Sequence, residues 1–277
     1  MTDARPLIRI TDAADPQIAE FRSIRERDLV GRGGGFIAEG TVVLRMLARA
    51  HAGKGAIAAE KILLLENRVA GLADLLAEFA AEVPVYVADA GVLDAIAGFH
   101  LHRGVLALGR RSAAPHADQL LDACAEPALV IVACGISNHD NIGSIFRNAA
   151  AFGAQAVLLD ETCCDPLYRK ALRVSVGSVL SVPYARGGSA LSLLETVHAR
   201  GFAVWGLSPQ GDSDIRDIPA ERRIALVTGT EGEGLPADIL SRFRNARIPQ
   251  MPGLDSLNAA TATGIALYEI SRLQGVI

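Results

Sequence analysis

Ala128-Leu129-Val130-Ile131-Val132-Ala133 is an unbroken apolar run. A strand with one wet face alternates polar and apolar side chains. A run without alternation fits a strand covered on both faces, as in a parallel sheet buried between helix layers. A polar loop and a helical pattern follow the run, and the same order recurs downstream. Further strands are expected near 155–159, 202–207, 224–228 and 246–248. Helices are expected near 144–152, 167–174, 190–200 and 236–242, with a long one from about 257 to 273. Alternation of this kind predicts an α/β unit built on a parallel sheet.

The first hundred or so residues predict another α/β unit. A charged helical stretch is expected near 16–30, with Ile18, Phe21, Ile24 and Arg25 at helical spacing. Phe36-Ile37-Ala38-Glu39-Gly40 is expected to open a helix through Val42, Val43, Leu44, Met46 and Leu47, and Leu72 to Glu82 to form another. Lys61–Leu65, Val85–Val87 and Gly104–Leu108 read as strands. Residues 113–126, between Pro115 and Pro127, read as a linker, or as a linker with a short helix. The expected division is therefore 1–112, 113–126 and 127–277, with no internal repeat.

Composition narrows the function. Half of the residues are hydrophobic (50%) and 21% are charged, which excludes a disordered chain. A net charge of −4 excludes indiscriminate nucleic-acid binding, which goes with strongly basic domains. An RNA ligand would have to be met by local arginine clusters. Candidates are Arg22/Arg25/Arg27/Arg32, Arg103/Arg110/Arg111, Arg169/Lys170/Arg173 and Arg242/Arg244/Arg247. Cys124, Cys134, Cys163 and Cys164 form no C-x-x-C and read as small core hydrophobes in a reducing compartment. His100 and His102 lack a third ligand at a zinc spacing, so no metal is expected. No apolar run reaches the roughly 20 residues that span a bilayer, and the first residues carry no apolar signal core. A cytoplasmic protein without a membrane partner is expected.

Three loop segments carry candidate chemistry. The first, Asn141 to Ala149, follows the strand that ends by Gly135; Asn141 is expected to cap the next helix and Gly153 to end it. Arg147 falls in that helix among Ile145, Phe146, Ala149 and Ala150, where a guanidinium can meet a substrate phosphate. The segment taken alone reads more readily as a capped helix with a solvated arginine. The second, Gly229-Thr230-Glu231-Gly232-Glu233-Gly234-Leu235, follows the strand Ile224–Val227. Its glycines allow close backbone approach to a ligand or positive φ, with Glu231 fixed among them. Gly232-x-Gly234-x-x-Ala237 also matches a dinucleotide-binding fingerprint. The helix after it is short, however, and Asp255, the acid at the right distance, precedes a helix and does not end a strand. The third segment runs from Ile248 to Asn258 through Pro249, Pro252 and Gly253, with Ser256 as the expected N-cap of the last helix. His139-Asp140 with a distant serine lacks the G-x-S-x-G elbow of a hydrolase.

In this order the three segments resemble the signature motifs of SpoU/TrmH-type RNA ribose 2′-O-methyltransferases of the SPOUT superfamily. The resemblance covers about 127–277, with Asp165-Pro166-Leu167-Tyr168 and Ser175-Val176-Gly177-Ser178 as intermediate family segments. Phe36–Gly40 and His102–Leu108 resemble, less specifically, a ribosomal-protein-like α/β substrate-binding domain. The resemblance implies a deep trefoil knot at the carboxyl end, although knots are rare. It also implies S-adenosylmethionine as cofactor, an RNA substrate, ribosomal RNA before transfer RNA, and a homodimer with its active site near the interface. Carried over, Gly229, Ile248 and Leu257 contact the cofactor mainly through backbone, with Leu207 nearby. Arg147 becomes the central catalytic residue, and Asn141, Glu231, Ser256 and Asn258 position substrate, cofactor and Arg147. Arg147 acts either as general base or as the group that binds the adjacent phosphate. Gln250 and Ala259 depart from the family pattern, where Met and Val are frequent. Two rival readings are a non-catalytic RNA-binding module that kept the fold and an NAD(P)-dependent oxidoreductase using the glycine loop.

Overall fold

The computed structural model describes residues 5–22, 29, 33–53, 55–98, 103–112, 114–253 and 255–277. They fall into two units. One takes Met1–Ala113 together with Leu167–Ser181, and the other takes Ala114–Pro166 and Val182–Ile277.

The first unit holds β1 (Leu7–Ile10), β2 (Gly35–Glu39), α1 (Thr41–Ala52), β3 (Ile57–Leu65), α2 (Val69–Ala77), β4 (Val85–Ala88), α3 (Ala90–Ala97) and β5 (Val105–Arg111). The sheet order is β1-β4-β3-β5-β2, parallel from β1 through β4 to β3 and antiparallel from β3 through β5 to β2. On one face Ile10, Ile37, Leu63, Tyr86, Leu106 and Leu108 pack with Ile18, Phe21, Leu93 and Ile96. The other face, with Phe36, Ile62, Leu64 and Ala107, is buried too.

That double burial corrects one expectation. Phe36–Glu39 opens no helix; it is strand, and every residue of Gly35–Glu39 is buried. Gly40, at φ +91, makes the turn into α1, a backbone conformation that favours glycine. Of the stretch expected as a helix near 16–30, the described residues Pro16–Phe21 form a pair of 3-10 turns that ends at the extended residue Arg22. Ile24, Arg25 and Arg27 lie outside the described residues, as do Arg32, His100 and His102. α2 stops at Ala77, short of Glu82. α3 was not anticipated, although its signals are local: the Asp89 carboxylate accepts from Val92 N at 2.8 Å and Gly98 closes the helix at φ +74.

The second unit holds α4 (Ala117–Asp122), β6 (Ala128–Ala133), α5 (His139–Ala151), β7 (Ala156–Leu159), β8 (Tyr184–Arg186), α7 (Ala190–Ala199), β9 (Ala203–Leu207), β10 (Ser213–Asp214), β11 (Arg223–Thr228), α8 (Ala237–Arg242), β12 (Arg244–Arg247) and α9 (Ala259–Leu273). Its sheet, β10-β12-β9-β11-β6-β7-β8, is parallel throughout. β6 and β11 lie side by side inside it. Val130, Val132, Ala225 and Val227 meet Leu121, Leu194, Val197 and Ile239 on one face. α5 and α9 pack on each other and reach β7 and β11 respectively. The stretch 113–126 is more than a linker, since α4 places Leu121 fully in this core. β8 and β10 were not anticipated; strands of three and two residues are too short to show a pattern.

The remaining helix, α6 (Arg169–Val174), belongs to the first unit although its sequence lies between strands of the second sheet. It packs against β2, an edge strand. Glu39 of β2, only 6% exposed, accepts a hydrogen bond from Arg169 at 3.2 Å and has Arg173 at 4.0 Å. After α6, a side chain at Gly177 would lie 2.8 Å from Cβ of Met46 in α1, so only glycine admits that approach.

A buried carboxylate stripped of its cation keeps its desolvation cost. Arg169→Gln should therefore lower the stability of the full chain by about 1–3 kcal/mol in denaturant titration. Combined with Glu39→Gln it should lose less than the sum of the two single changes. Strict additivity would show that the two side chains do not act as a pair.

Candidate functional site

Parallel strands deliver their carboxyl ends to one edge of the sheet, where α/β proteins bind ligands. Asp160, directly after β7, organises that edge. Its carboxylate is 5% exposed and accepts from Gly135 N at 3.0 Å, Thr162 N at 3.0 Å, Thr162 Oγ1 at 2.8 Å and Cys163 N at 2.9 Å. Gly135, at φ +70, sits so close to the loop after β11 that a Cβ would be 2.7 Å from Cγ2 of Thr230. The loops after β6, β7 and β11 are thus in contact. Asp160 was not among the candidates, although an acid directly after a four-residue apolar strand was a signal of a polar strand end. The nearby thiols are chemically quiet. Burial, reinforced by the Asp160 charge, pushes Cys163 up to about 12; burial, with Asp165 adding, pushes Cys164 up to about 11.

The loop after β11 closes on itself. Thr230 N donates to Gly234 O at 3.2 Å and Gly234 N returns the bond to Thr230 O at 3.1 Å. Gly229 has a structural duty here: a Cβ would lie 2.4 Å from Gly234 O, so the loop itself excludes a side chain before any ligand does. Gly232, at φ +94, faces open space. This geometry differs from a dinucleotide-binding turn, which aims a helix start at the ligand; α8 is only six residues long and begins after Pro236.

Beside this loop lies a cavity of about 390 Å³, within the usual range for small-ligand sites. Leu207, Gly229, Glu231, Ile248, Ser256 and Leu257 all line it. Asn258 ties it to α5. Its Nδ2 donates to Asn141 Oδ1 at 2.9 Å and to Glu231 Oε1. Its Oδ1 accepts from the backbone N–H groups of Ala260 and Thr261, both at 3.1 Å, which makes Asn258 the N-cap of α9. Two expected caps are thereby corrected. Ser256 is an exposed wall residue two positions before the true cap. Asn141 lies inside the first turn of α5 and is 5% exposed, while Asn138 caps the helix by accepting from Asp140 N at 2.8 Å. Gly153 ends α5 as expected, at φ +74, with Ala154 N bonded back to Ala149 O at 2.9 Å.

Arg147 stands apart. It is exposed on α5, about 9 Å along the axis from Asn141, and does not line the cavity. Among the described residues it makes no hydrogen bond or ion pair. The structure thus gathers the other eight candidates and leaves the arginine on the surface. A second, shallow groove runs between α5 and α9 past Ser144, Asn148, Gly264, Ile265 and Tyr268. Asn148 Nδ2 donates to Ala260 O at 2.9 Å there, and a Cβ at Gly264 would meet that nitrogen at 2.8 Å.

The two ends of the Asn258 side chain can be separated. Asn258→Asp keeps an oxygen for the cap but loses the donor and sets a second carboxylate beside Glu231. Asn258→Ala loses both, including a cap worth about 1 kcal/mol. Amide exchange should show Ala260 and Thr261 loosened by the alanine variant and protected in the aspartate variant, with the 230–234 loop loosened in both. Equal exchange at Ala260 and Thr261 in the two variants would contradict this division.

A family model, the SpoU rRNA methylase family, matches residues 128–268. An uncharacterized tRNA/rRNA methyltransferase of Mycobacterium bovis is 40% identical over 274 residues, which cover 95% of this chain and 91% of the relative. Among solved structures, an AdoMet-bound rRNA methyltransferase of Sinorhizobium meliloti shares the fold, with a TM-score of 0.81 at 24% identity over 96% of this chain and 98% of that one. Another, described as an RNA 2′-O ribose methyltransferase, gives a TM-score of 0.74 at 27% identity over 98% and 100% of the two chains. With that model and a relative 40% identical across nearly its whole length, the chain belongs to the SpoU rRNA methylase family of RNA methyltransferases.

Proposed function

We propose that the protein transfers a methyl group from S-adenosylmethionine to a ribose 2′-hydroxyl of structured RNA, with ribosomal RNA as the favoured substrate. The observation that carries this reading is the cavity: its walls are the loops that bear the second and third signature segments. The residues fit the cofactor. Leu207, Ile248, Leu257 and Ala259 offer apolar surface to a nucleoside, and nothing lies within 4 Å of a Cβ placed on Gly232 or Gly234, so the backbone there is open to a ligand. The cofactor supplies an electrophilic methyl on a sulfonium. The chain supplies position. The Asn141–Asn258–Glu231 bridge holds the cavity loop against the start of α5. Arg147, exposed on the same helix, suits the phosphate-binding role over that of base. A guanidinium can grip a backbone phosphate bidentately and orient the neighbouring hydroxyl. The first unit, extra to the catalytic sheet, supports a large RNA substrate, and its Arg110 and Arg111 end β5 while Arg103 lies just before that strand. A chain threaded as a trefoil knot at its carboxyl end is part of the same reading.

Arg147→Ala should cut turnover by roughly 10²-fold or more, the scale of a lost charge-stabilising group, and leave cofactor affinity within about twofold. Near-wild-type methylation by that variant would remove Arg147 from the site. Mapping 2′-O-methyl positions in total RNA with and without the gene tests the substrate: loss of a ribosomal site is expected, and loss confined to transfer RNA would overturn the preference.

We further propose that the active species is a homodimer joined along the α5–α9 face. Ile265 and Tyr268, 39% and 47% exposed, give that face apolar surface beside a groove. Tyr268→Glu should convert a sedimenting dimer to monomer. A wild type that sediments as a monomer at assay concentration would contradict the dimer.

A further inference from the structure

We propose that the cavity distinguishes the cofactor from its product by charge, with Glu233 and Asp255 as specificity-determining residues. This rests on the reading that S-adenosylmethionine occupies the cavity. Among the described residues Glu231, Glu233 and Asp255 are the acids that line it, and no Lys, Arg or His does. Among the described residues none of the three is in an ion pair, unlike acids such as Glu66 with Arg9, Glu60 with Arg110, Glu195 with Arg242 and Asp214 with Arg216, whose charge a cation offsets. The hydrogen bond that Glu231 accepts comes from a neutral amide, which leaves its charge in place. The other polar lining groups, among them Gln210, Gln250 and Ser256, are neutral as well.

The reaction changes the ligand's charge in that field. The methyl group forms a bond to the ribose oxygen while its bond to sulfur breaks, and that electron pair stays on sulfur. The hydroxyl proton passes to phosphate or solvent. S-adenosylmethionine carries an ammonium, a carboxylate and a sulfonium, a net single positive charge. S-adenosylhomocysteine, with its neutral thioether, carries none. An anionic cavity therefore holds the substrate form more tightly and loses its electrostatic grip on the product once transfer is complete. The carboxylates are exposed at the cavity mouth, so water and salt screen them and the discrimination is moderate, roughly 3- to 10-fold.

Calorimetry on the full-length protein tests this with three ligands: S-adenosylmethionine, S-adenosylhomocysteine, and sinefungin, in which an amine keeps the positive charge without a transferable methyl. The wild type should bind both cationic ligands more tightly than S-adenosylhomocysteine, by a ratio that narrows from 50 to 500 mM NaCl. Glu233→Gln combined with Asp255→Asn should reduce that ratio by roughly 3- to 10-fold and leave S-adenosylhomocysteine affinity within about twofold. A ratio unchanged in the double variant, or a wild type without preference, would overturn the proposal. Ala262→Phe, which fills the cavity from α9, separates the two ideas: it should weaken all three ligands, and if it weakens none, the location of the cofactor is what fails.

Discussion

The side chain of Asn258 is the joint on which the site depends. Its oxygen fixes where α9 begins, and its nitrogen joins Asn141 of the first signature segment to Glu231 of the second. Each of the three segments would otherwise be a separate loop at a strand end. An asparagine is suited to the task because a single amide offers both an acceptor and two donors. Aspartate or serine could cap, but neither could also donate to both Asn141 and Glu231. The consequence is that the start of α9, the cavity wall and the buried start of α5 are set together.

Beneath that joint, the parallel sheet does the positioning. β6, β7 and β11 end in register on one edge, and Asp160 collects amides left over after β6 and β7. Four donors on one buried carboxylate meet the requirement that buried polar groups be satisfied. The quiet thiols around it add packing without reactivity. The first unit has a comparable anchor in Glu39, which recruits Arg169 and Arg173 from a segment distant in sequence. Residues 167–181 therefore contribute to the first unit's core, and a cut at the expected boundary near 112 would leave them without their packing.

Which parts of this were legible in the sequence follows from range. β6 and β11 were legible because strands buried on both faces leave continuous apolar runs. β2 was not, because five buried residues next to a helix look like the helix's own start. Caps were misassigned wherever polar residues cluster: Asn138 and Asn141 lie three apart, Ser256 and Asn258 two apart, and composition does not choose between them. The ion pair of Glu39 spans 130 positions and has no local signature. The signature segments located most of the cavity wall, while the acidic character of that wall depends on Glu233 and Asp255 meeting across two loops. Arg147 was legible as a motif residue, but its position outside the cavity was not.

The central claim is that the loops after β9, β11 and β12 form one cofactor site. Hydrogen–deuterium exchange of the full chain with and without S-adenosylmethionine tests it directly. The account predicts added protection at 207–211, 228–235 and 248–257, with little change at the Asp160 turn, whose amides are already bonded. Protection that falls elsewhere, or none at saturating cofactor, would contradict it.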